Sequence, residues 1–344
     1  MNLYRKFHAS RNRAQAFLIV LPIITVWMLW PTEERDRRLH PPTPVAVRHD
    51  PCIEVRPEFG PYQAAVIQTP GLYCIAVDFW QRRLSDFAGH TGPTTNEHLL
   101  GVISNDVTVD LANHILHTDG DSTGIVAVRI QEGKRPVPQN ISIKNGVLDI
   151  RGLGSAVDVV DHWPLDKINA SAPPDFTGFK KSGIVLDNLL IKTDNVGIML
   201  EGDGNIIRNC IIESGGDSAI MMAGPNGQIL NNTIILTEPL LPANRSDGFL
   251  SQFDSLSKFR NVQRAAIVLH RATGTIISGN RIEVKGTSQT YHNIYLTDAS
   301  ARVHIIGNTI VGPAEVVTFK KGSTAELKSN VVEKTKNKVW WRLQ

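Results

Sequence analysis

Several motifs that mark common classes of protein are absent from this chain of 344 residues. Its three cysteines form no CxxC pair and no cluster with histidine, which argues against a structural zinc site. The chain has no phosphate-binding loop, no dinucleotide-binding glycine motif and no nucleophile elbow. The net charge of the chain is +3, whereas residues 1–50 alone carry +4, from eight Lys and Arg against four Asp and Glu. The remainder is therefore close to neutral and gives no electrostatic case for binding nucleic acid.

The second half of the chain lacks helical periodicity and contains a short repeat. An asparagine followed two residues later by an aliphatic residue recurs at spacings of 21 to 48 residues. These asparagines are Asn188, Asn209, Asn232, Asn280, Asn308 and Asn330. Each period holds three short runs of Ile, Val and Leu, separated by Gly, Asn and Asp. Short β-prone runs between turn-forming residues indicate strands, and self-similarity at this period indicates a repeat architecture.

Three strands per period, stacked period upon period, predict an all-β solenoid with three parallel sheets. We place the recurrent asparagine at a corner, because asparagine tolerates the left-handed conformation and stacked amides can form a ladder. Glycosylation is an alternative for some of these asparagines, but the period accounts for all of them. The outward row of the second set of strands is mildly apolar and is expected to pack beneath a loop. It consists of Met199, Met221, Val268, Tyr295 and Thr318.

Three upstream segments suggest a family. They are Thr69-Pro70-Gly71-Leu72-Tyr73-Cys74, Asn105–Leu111 and Asn140–Ile150, and the last two alternate with period two. This succession resembles bacterial right-handed parallel β-helix repeat proteins of the pectate-lyase-like superfamily, over about residues 66–335. The resemblance implies a right-handed parallel β-helix, which we assign to residues 51–335. It implies no single activity, because lyases, hydrolases, epimerases, phage tailspikes and binding proteins share that fold.

The N-terminus combines basic residues with an apolar run. Arg5, Lys6, Arg11 and Arg13 precede the apolar residues 14–30. This pattern predicts a secretion signal. Since no small-x-small cleavage site follows, we favour an uncleaved transmembrane helix at 1–30, with a linker at 31–50. The body would then lie on the periplasmic side of the inner membrane or outside the cell, because positive residues stay in the cytoplasm. The alternative is secretion after signal cleavage.

The three cysteines are consistent with such a compartment. Cys52 and Cys74 flank the start of the solenoid and could form a disulfide in an oxidising space. Cys210 lies inside a repeat, where the expected role is that of a small buried hydrophobic residue.

Two insertions interrupt the repeat, near residues 153–182 and 237–263. Insertions in a solenoid collect on one face, which is often the binding face. We therefore expect the two loops to form the walls of a groove. Residues 336–344, which include Val339-Trp340-Trp341, are expected to cap the last coil, since terminal repeats need a cover.

Two aspartates lie in the corners between the insertions. Asp194 and Asp217 are 23 residues apart, which is one coil. Stacked carboxylates can divide the acid and base roles of glycoside cleavage. They could instead bind Ca²⁺ or serve as ordinary turn residues. Lys192-Thr193-Asp194 and Gly216-Asp217 faintly resemble two motifs of polygalacturonases, whereas the Gly-His-Gly and Arg-Ile-Lys motifs of that family are absent.

A second candidate set lies on later coils and consists of His270, Arg271 and His292. A lyase or epimerase that removes a proton beside a uronate carboxylate needs a base and a neutralising cation, which such residues can supply. His270 ends its strand and His292 begins the next, so we expect them at opposite ends of one sheet. The alternative is that they are exposed polar residues at strand ends.

The sequence thus predicts a membrane-anchored, extracytoplasmic β-helix protein that binds or processes polysaccharide, as a lyase, epimerase or glycoside hydrolase. The alternative is a non-catalytic scaffold, adhesion module or carbohydrate-binding protein. Ca²⁺ is the one candidate cofactor, and no nucleic-acid partner is expected.

Overall fold

The computed structural model describes twelve segments of the chain, all within the unit formed by His49–Gln344. They are residues 51–57, 64–81, 98–119, 123–127, 138–152, 154–159, 181–237, 264–285, 291–297, 300–312, 315–320 and 322–333. Short runs of Ile, Val and Leu between turn-forming residues become strands throughout these segments, as their β-propensity predicts.

Nine of the described strands stack in parallel to form one sheet, here called sheet B. They are β2 (Ala65–Ile67), β5 (His98–Val102), β8 (Thr123–Ala127), β10 (Val157–Val159), β12 (Ile198–Glu201), β15 (Ser218–Ala223), β18 (Ala265–His270), β21 (His292–Leu296) and β24 (Val317–Phe319).

The other 17 described strands belong to a second sheet, here called sheet A. They are β1 (Ile53–Val55), β3 (Gly71–Ile75), β4 (Phe79–Gln81), β6 (Val107–Asp110), β7 (Ile115–Thr118), β9 (Ile141–Ile150), β11 (Val185–Thr193), β13 (Ile206–Arg208), β14 (Ile211–Ser214), β16 (Gln228–Leu230), β17 (Thr233–Leu236), β19 (Ile276–Ser278), β20 (Arg281–Val284), β22 (Val303–Ile306), β23 (Thr309–Val311), β25 (Ala325–Lys328) and β26 (Val331–Glu333).

A typical coil contributes two successive strands to sheet A and one to sheet B, as β13, β14 and β15 do. The pairings are parallel and join neighbouring coils, so the described chain is a parallel β-helix. The prediction of three strands per coil is confirmed. The prediction of three separate sheets needs correction, because β9 and β11 run through the corner unbroken and join two of the three strands into one hydrogen-bonded sheet.

The corner within sheet A requires one residue in the left-handed region. Asn145, Asn188, Asn209 and Asn231 occupy it with φ of 58°, 53°, 56° and 54°. Later coils place Gly279, Gly307 and Ser329 there. Asparagine and glycine suit this position because the left-handed region costs them less than it costs other residues.

The next residue along the chain points inward and forms the predicted amide ladder. Asn232, Asn280, Asn308 and Asn330 are stacked, and each side-chain amide donates to the next side-chain oxygen at 2.9–3.0 Å. This corrects the register of the sequence repeat. Asn188 and Asn209 align with Asn231 in the left-handed row, whereas Cys210 takes the ladder position and donates its backbone N–H to Asn232.

The core is a set of aliphatic rows that run along the solenoid. One such row is fully buried and consists of Leu116, Leu148, Ile191, Ile212, Ile234, Ile282 and Ile310. The outward row predicted for sheet B is also observed, and its members Val268 and Tyr295 are 3% and 7% exposed. Stacking similar aliphatic side chains at each coil buries a continuous apolar core.

Cys52 and Cys74 form a disulfide that joins the segment before β1 to β3. Cys210 is buried, and burial raises the pKa of its thiol to about 12. Its expected role as a small buried residue is confirmed. In the described segments we find no helix long and apolar enough to span a membrane.

Several predicted features lie outside the described residues. They are the transmembrane helix at 1–30, the linker at 31–50, the cap at 336–344 and most of the insertions near 153–182 and 237–263. The groove expected between the two insertions therefore stays a prediction.

Candidate functional site

A row of polar side chains follows the outer face of the second strand of each coil in sheet A. Pairing in register aligns Trp80 with His117, His117 with Asp149, Asp149 with Lys192, and Lys192 with Glu213. Their neighbours along each strand are buried, so strand alternation directs these five side chains outward. We call these five residues the polar row. At roughly 4.8 Å per coil it extends over almost 20 Å.

His117 is the most constrained member of the polar row, with a side chain 12% exposed. Its Nδ1 lies 3.0 Å from the Asp149 carboxylate, and its Nε2 lies 2.8 Å from the Asp119 carboxylate. The Trp80 ring lies against the imidazole, with 4.6 Å between ring centroids, and Trp80 is 50% exposed. The cluster therefore combines a half-exposed indole with a histidine held between two carboxylates.

Arg151 connects this cluster to Asp194 on the next coil. Its guanidinium lies 2.7 Å from Asp149 and 3.2 Å from Asp194. The second oxygen of Asp194 accepts a hydrogen bond from the backbone N–H of Gly152 at 3.1 Å. Asp194 is thus a member of an extended network of charges that begins at His117.

Lys192 lies between Asp149 and Glu213 in the polar row. Among the described residues, no carboxylate lies within ion-pairing distance of its ammonium group. The row therefore presents a positive charge that an anionic ligand could contact.

Asp217, the predicted partner of Asp194, has different surroundings. Its side chain is 67% exposed and lies 3.8 Å from Nε of Arg264. Pairing of Thr193 with Ser214 puts Gly215, the next residue, beside Asp194. The structure therefore assigns the two aspartates to different networks, and their joint catalysis stays a prediction.

Arg264 stabilises the turn that contains Asp217. Its guanidinium donates to the backbone carbonyls of Gly215 and Gly216, and to the hydroxyl of Tyr291 at 2.7 Å. It also lies 4.8 Å from the centroid of the Tyr291 ring, and its side chain is 13% exposed. Arg264 therefore has a structural role, because its N–H groups satisfy the carbonyls of the turn.

The second candidate set occupies sheet B. His292 pairs with Ala265 at the start of β18, whereas His270 ends that strand. Five residues at about 3.3 Å each separate the two histidines by roughly 16 Å. His270 and His292 therefore face different surroundings, and a shared proton-transfer step would need a ligand that spans both.

Each member of this set has its own local contacts. Nδ1 of His270 lies 2.6 Å from the hydroxyl of Thr297, and Arg271 follows it with φ of 49°. Nδ1 of His292 lies 2.8 Å from the hydroxyl of Thr318. Burial lowers the pKa of His292, against the opposing effect of the Glu315 carboxylate. The neutral ring is therefore favoured at His292.

Asp158 stands out on the outer face of sheet B. It lies in register between Val126 and Met199, in a mostly apolar row. Burial raises the pKa of its carboxyl from 3.8 to about 7. The sequence analysis did not select this residue, because one aspartate in an interrupted repeat carries no motif.

The described segments contain no group of three or more His, Cys, Asp and Glu residues arranged to hold a metal ion. The Ca²⁺ site proposed for Asp194 and Asp217 therefore stays a prediction. The sequence also gave no motif for Trp80, His117 or Asp149. The one usable signal was the outward phase of single polar residues between buried aliphatics, as at Leu148-Asp149-Ile150.

Comparison with known proteins agrees with the observed fold. The family model described as "Right handed beta helix region" matches residues 178–341. Over these residues the match agrees with the parallel stacking of the strands, and the fold is that of a right-handed parallel β-helix. A comparison with curated proteins found no match.

Solved structures with a similar course of the chain include phage tailspikes and an epimerase. The enzymatically active domain of tailspike protein 2 of bacteriophage CBA120 is 12% identical, with a TM-score of 0.40 over 78% of this chain and 38% of that one. The tailspike of Acinetobacter baumannii phage AM24 is 8% identical, with a TM-score of 0.33 over 80% and 48%. The A-module of the Azotobacter vinelandii mannuronan C-5 epimerase AlgE4 is 10% identical, with a TM-score of 0.29 over 81% and 84%. The chain thus spans less than half the length of these tailspike chains.

Proposed function

We propose that this protein binds or processes a polysaccharide along the polar row. The observation that carries the proposal is the cluster of Trp80, His117 and Asp149, continued by Arg151 to Asp194. A sugar ring has an apolar C–H face and a polar edge of hydroxyls. A half-exposed indole can stack on the apolar face of the sugar, while charged side chains beside it bind the hydroxyls. A row spread over successive coils suits an extended polymer better than a small molecule.

The chemistry available at this cluster is proton transfer centred on His117. Each ring nitrogen faces a carboxylate oxygen, so the protonated ring can donate on both sides. The neutral ring can donate on one side only. Because Asp119 is 59% exposed, a ligand hydroxyl can replace its contact with Nε2. Such a site would serve a lyase, an epimerase or a glycoside hydrolase.

We further propose that the body acts outside the cytoplasm, attached through the apolar residues 14–30. The basic residues before this run and the Cys52–Cys74 disulfide support this location, since disulfides persist in oxidising compartments. Protease protection of the full-length protein in sealed membrane vesicles tests it. Release of the body after signal cleavage would give a soluble, shortened protein.

A panel of acidic and neutral polysaccharides, offered with and without Ca²⁺, tests the proposed function. Unsaturated uronate products would establish a lyase, new reducing ends without them a hydrolase, and proton exchange at a sugar carbon an epimerase. His117→Ala should abolish turnover, whereas Trp80→Ala should weaken binding by about 1–2 kcal/mol. His304→Ala is the matched control, because His304 is an outward histidine paired with Glu326 far from the polar row.

Three results would separate the alternatives. Binding that needs Trp80 but gives no product would establish a carbohydrate-binding module. Activity that is unchanged in both variants would remove the polar row from the mechanism. No binding to any member of the panel would favour the scaffold or adhesion role.

A further inference from the structure

A row of aliphatic side chains lies beside the polar row on the outer face of sheet A. Pairing in register aligns Ile115 with Val147, Val147 with Leu190, and Leu190 with Ile211. Each lies two positions before a member of the polar row on the same strand. Both rows therefore face outward, and about 6.6 Å separates them. We call these four residues the outer aliphatic row.

The outer aliphatic row is accessible to solvent. Ile115, Val147 and Leu190 are half-buried, and Ile211 is 49% exposed. Among the described residues, none of the four belongs to the hydrophobic core or packs against it. Packing inside the solenoid therefore gives no reason for four aliphatic residues in register.

The outer aliphatic row ends at the coil where the polar row ends. One coil further, Thr233 aligns with Ile211 and Ile235 aligns with Glu213, so the polar and the aliphatic positions are exchanged. The coil after that places Arg281 beside Thr233. The intrinsic preference of strands for Ile and Val acts at every outward position, so it does not explain this limit. The two rows form one amphipathic strip that is confined to four successive coils.

The two rows make different demands on a ligand that lies across both. The polar row supplies donors and acceptors for hydroxyl groups, whereas the aliphatic side chains supply neither. A sugar hydroxyl that loses its water against the outer aliphatic row would be left without a hydrogen bond, which costs free energy. A methyl group in the same place is stabilised by burial, and each one should raise the affinity by about three- to four-fold.

We propose that the polysaccharide bound along the polar row carries methyl groups on the edge that faces the outer aliphatic row, as acetyl substituents or as 6-deoxy sugars. Both substituents end in a methyl group that needs no hydrogen-bond partner. This substrate class rests on the proposed function, since it requires a polysaccharide on the polar row.

A second copy of the chain is the competing occupant of the strip. At about 4.8 Å per coil, and with about 6.6 Å between the rows, the strip is about 14 Å long and about 7 Å wide. This area of roughly 100 Å² is far below the roughly 800 Å² that each partner buries in a stable protein interface. A narrow polymer therefore fits the strip better than a second folded chain.

Polysaccharides that differ in one substituent test the proposal with the full-length protein. Acetylated glucomannan and acetylated xanthan are offered before and after mild alkaline treatment, which removes their acetyl esters, and rhamnan is offered beside mannan. The member that carries the methyl group should bind about 10-fold or more tightly, from the contribution of two or more methyl groups. A preference within the alkali-treated pairs assigns acetyl groups to the strip, and a preference for rhamnan assigns 6-deoxy sugars.

Substitutions in the outer aliphatic row locate this preference. Ile211→Thr keeps a β-branched side chain and should reduce the preference about 3-fold, whereas Leu190→Thr/Ile211→Thr should remove most of it. Val66→Thr is the matched control and should leave binding unchanged, because Val66 is 46% exposed on the outer face of sheet B. The thermal midpoint of each variant shows whether it is folded, and the single variant suffices if the double one is not.

The outcomes separate this inference from the proposed function. Equal affinity for both members of every bound pair, or a preference that persists in the folded variants, overturns the methyl-bearing substrate and leaves polysaccharide binding in place. Binding to none of these polymers or of the functional panel overturns both. Wild-type dimers that dissociate in Ile211→Thr, measured by light scattering, assign the strip to a second copy.

Discussion

Two outward histidines show how contact geometry distinguishes a candidate site from an ordinary surface pair. His304 is 39% exposed in its side chain and contacts one carboxylate, that of Glu326, at 3.0 Å. His117 is 12% exposed and contacts two, with an aromatic ring against its face. An exposed pair of the first kind contributes little to stability or chemistry. A histidine held between two carboxylates, one of which a ligand can replace, can take part in a reaction.

Asp158 gives a prediction for the pH dependence of stability. Burial raises the pKa of its carboxyl from 3.8 to about 7. Between these values the folded state keeps a proton that the unfolded state has released, so the free energy of unfolding falls as pH rises. This contribution is fully present below about pH 4 and lost above about pH 7. Asp158→Asn has no charge to bury, so it should be about 1–3 kcal/mol more stable than wild type near pH 8 and similar to it near pH 4.

Urea unfolding at the two pH values measures this difference. Asp217→Asn is a suitable control, since it removes a carboxyl that is 67% exposed and whose charge is therefore not buried. A gain for Asp158→Asn that does not depend on pH would show that the buried charge is not its cause.

At the scale of the strand, the asparagine ladder fixes the corner within sheet A. Asn280 is 1% exposed, and its amide donates to Asn308 at 2.9 Å and to the carbonyl of Ile229 at 2.8 Å. Its oxygen accepts from the backbone and the side chain of Asn232 at 2.8 and 3.0 Å. One substitution therefore leaves several buried polar groups unsatisfied.

Asn280→Ala is expected to destabilise the protein by about 2–4 kcal/mol, because each buried donor or acceptor left unpaired costs about 1 kcal/mol or more. Ser278→Ala, two residues earlier and outward, is the control and should cost less than about 0.5 kcal/mol. Denaturant unfolding measures both. If Asn280→Ala lowers the free energy of unfolding as little as the control does, water replaces the hydrogen bonds of the ladder.

The sequence predicted the strand content well and the register less well. Three runs per period gave three strands per coil, because aliphatic runs between turn residues have few alternatives. The asparagines were misaligned by one position because two adjacent positions both favour asparagine. One position tolerates a positive φ, as at Asn209, and the other forms the ladder, as at Asn232. A single sequence does not distinguish these two physical demands.

Of the residues in the candidate site, the sequence analysis selected only Asp194, which lies at one end of the network. Its partners Arg151 and Asp149 lie 43 and 45 residues earlier, on the far side of an insertion. Adjacency across that distance is set by sheet pairing, here Lys192 beside Asp149. Asn145 shares the left-handed row with Asn188, so the repeat contains the register across the insertion, but no motif distinguishes Asp149 or Arg151 from other outward residues.

Over the whole molecule, the stacked coils behave as a one-dimensional array in which each contacts its neighbours. Stability in such an array is close to a sum of coil and interface contributions, so the ends can fray while the middle stays folded. The N-terminal end of the described solenoid has a covalent support. At the N-terminal end the Cys52–Cys74 disulfide ties the segment before β1 to the next coil, although Ile53 is 55% exposed.

Removing this disulfide should therefore loosen one end of the solenoid and leave its middle intact. The bridge closes a loop with a sequence separation of 22, for which chain entropy gives about 3 kcal/mol. In Cys52→Ser/Cys74→Ser, amide hydrogen exchange in β1 and β3 should accelerate by about 10-fold or more, while β14 and β17 keep their protection. Wild type under reducing conditions should behave like the variant, and the reductant should have no effect on the variant itself. Uniform loss of protection along all coils would show that the solenoid unfolds as one cooperative unit, and unchanged exchange in β1 would show that strand pairing alone holds this end.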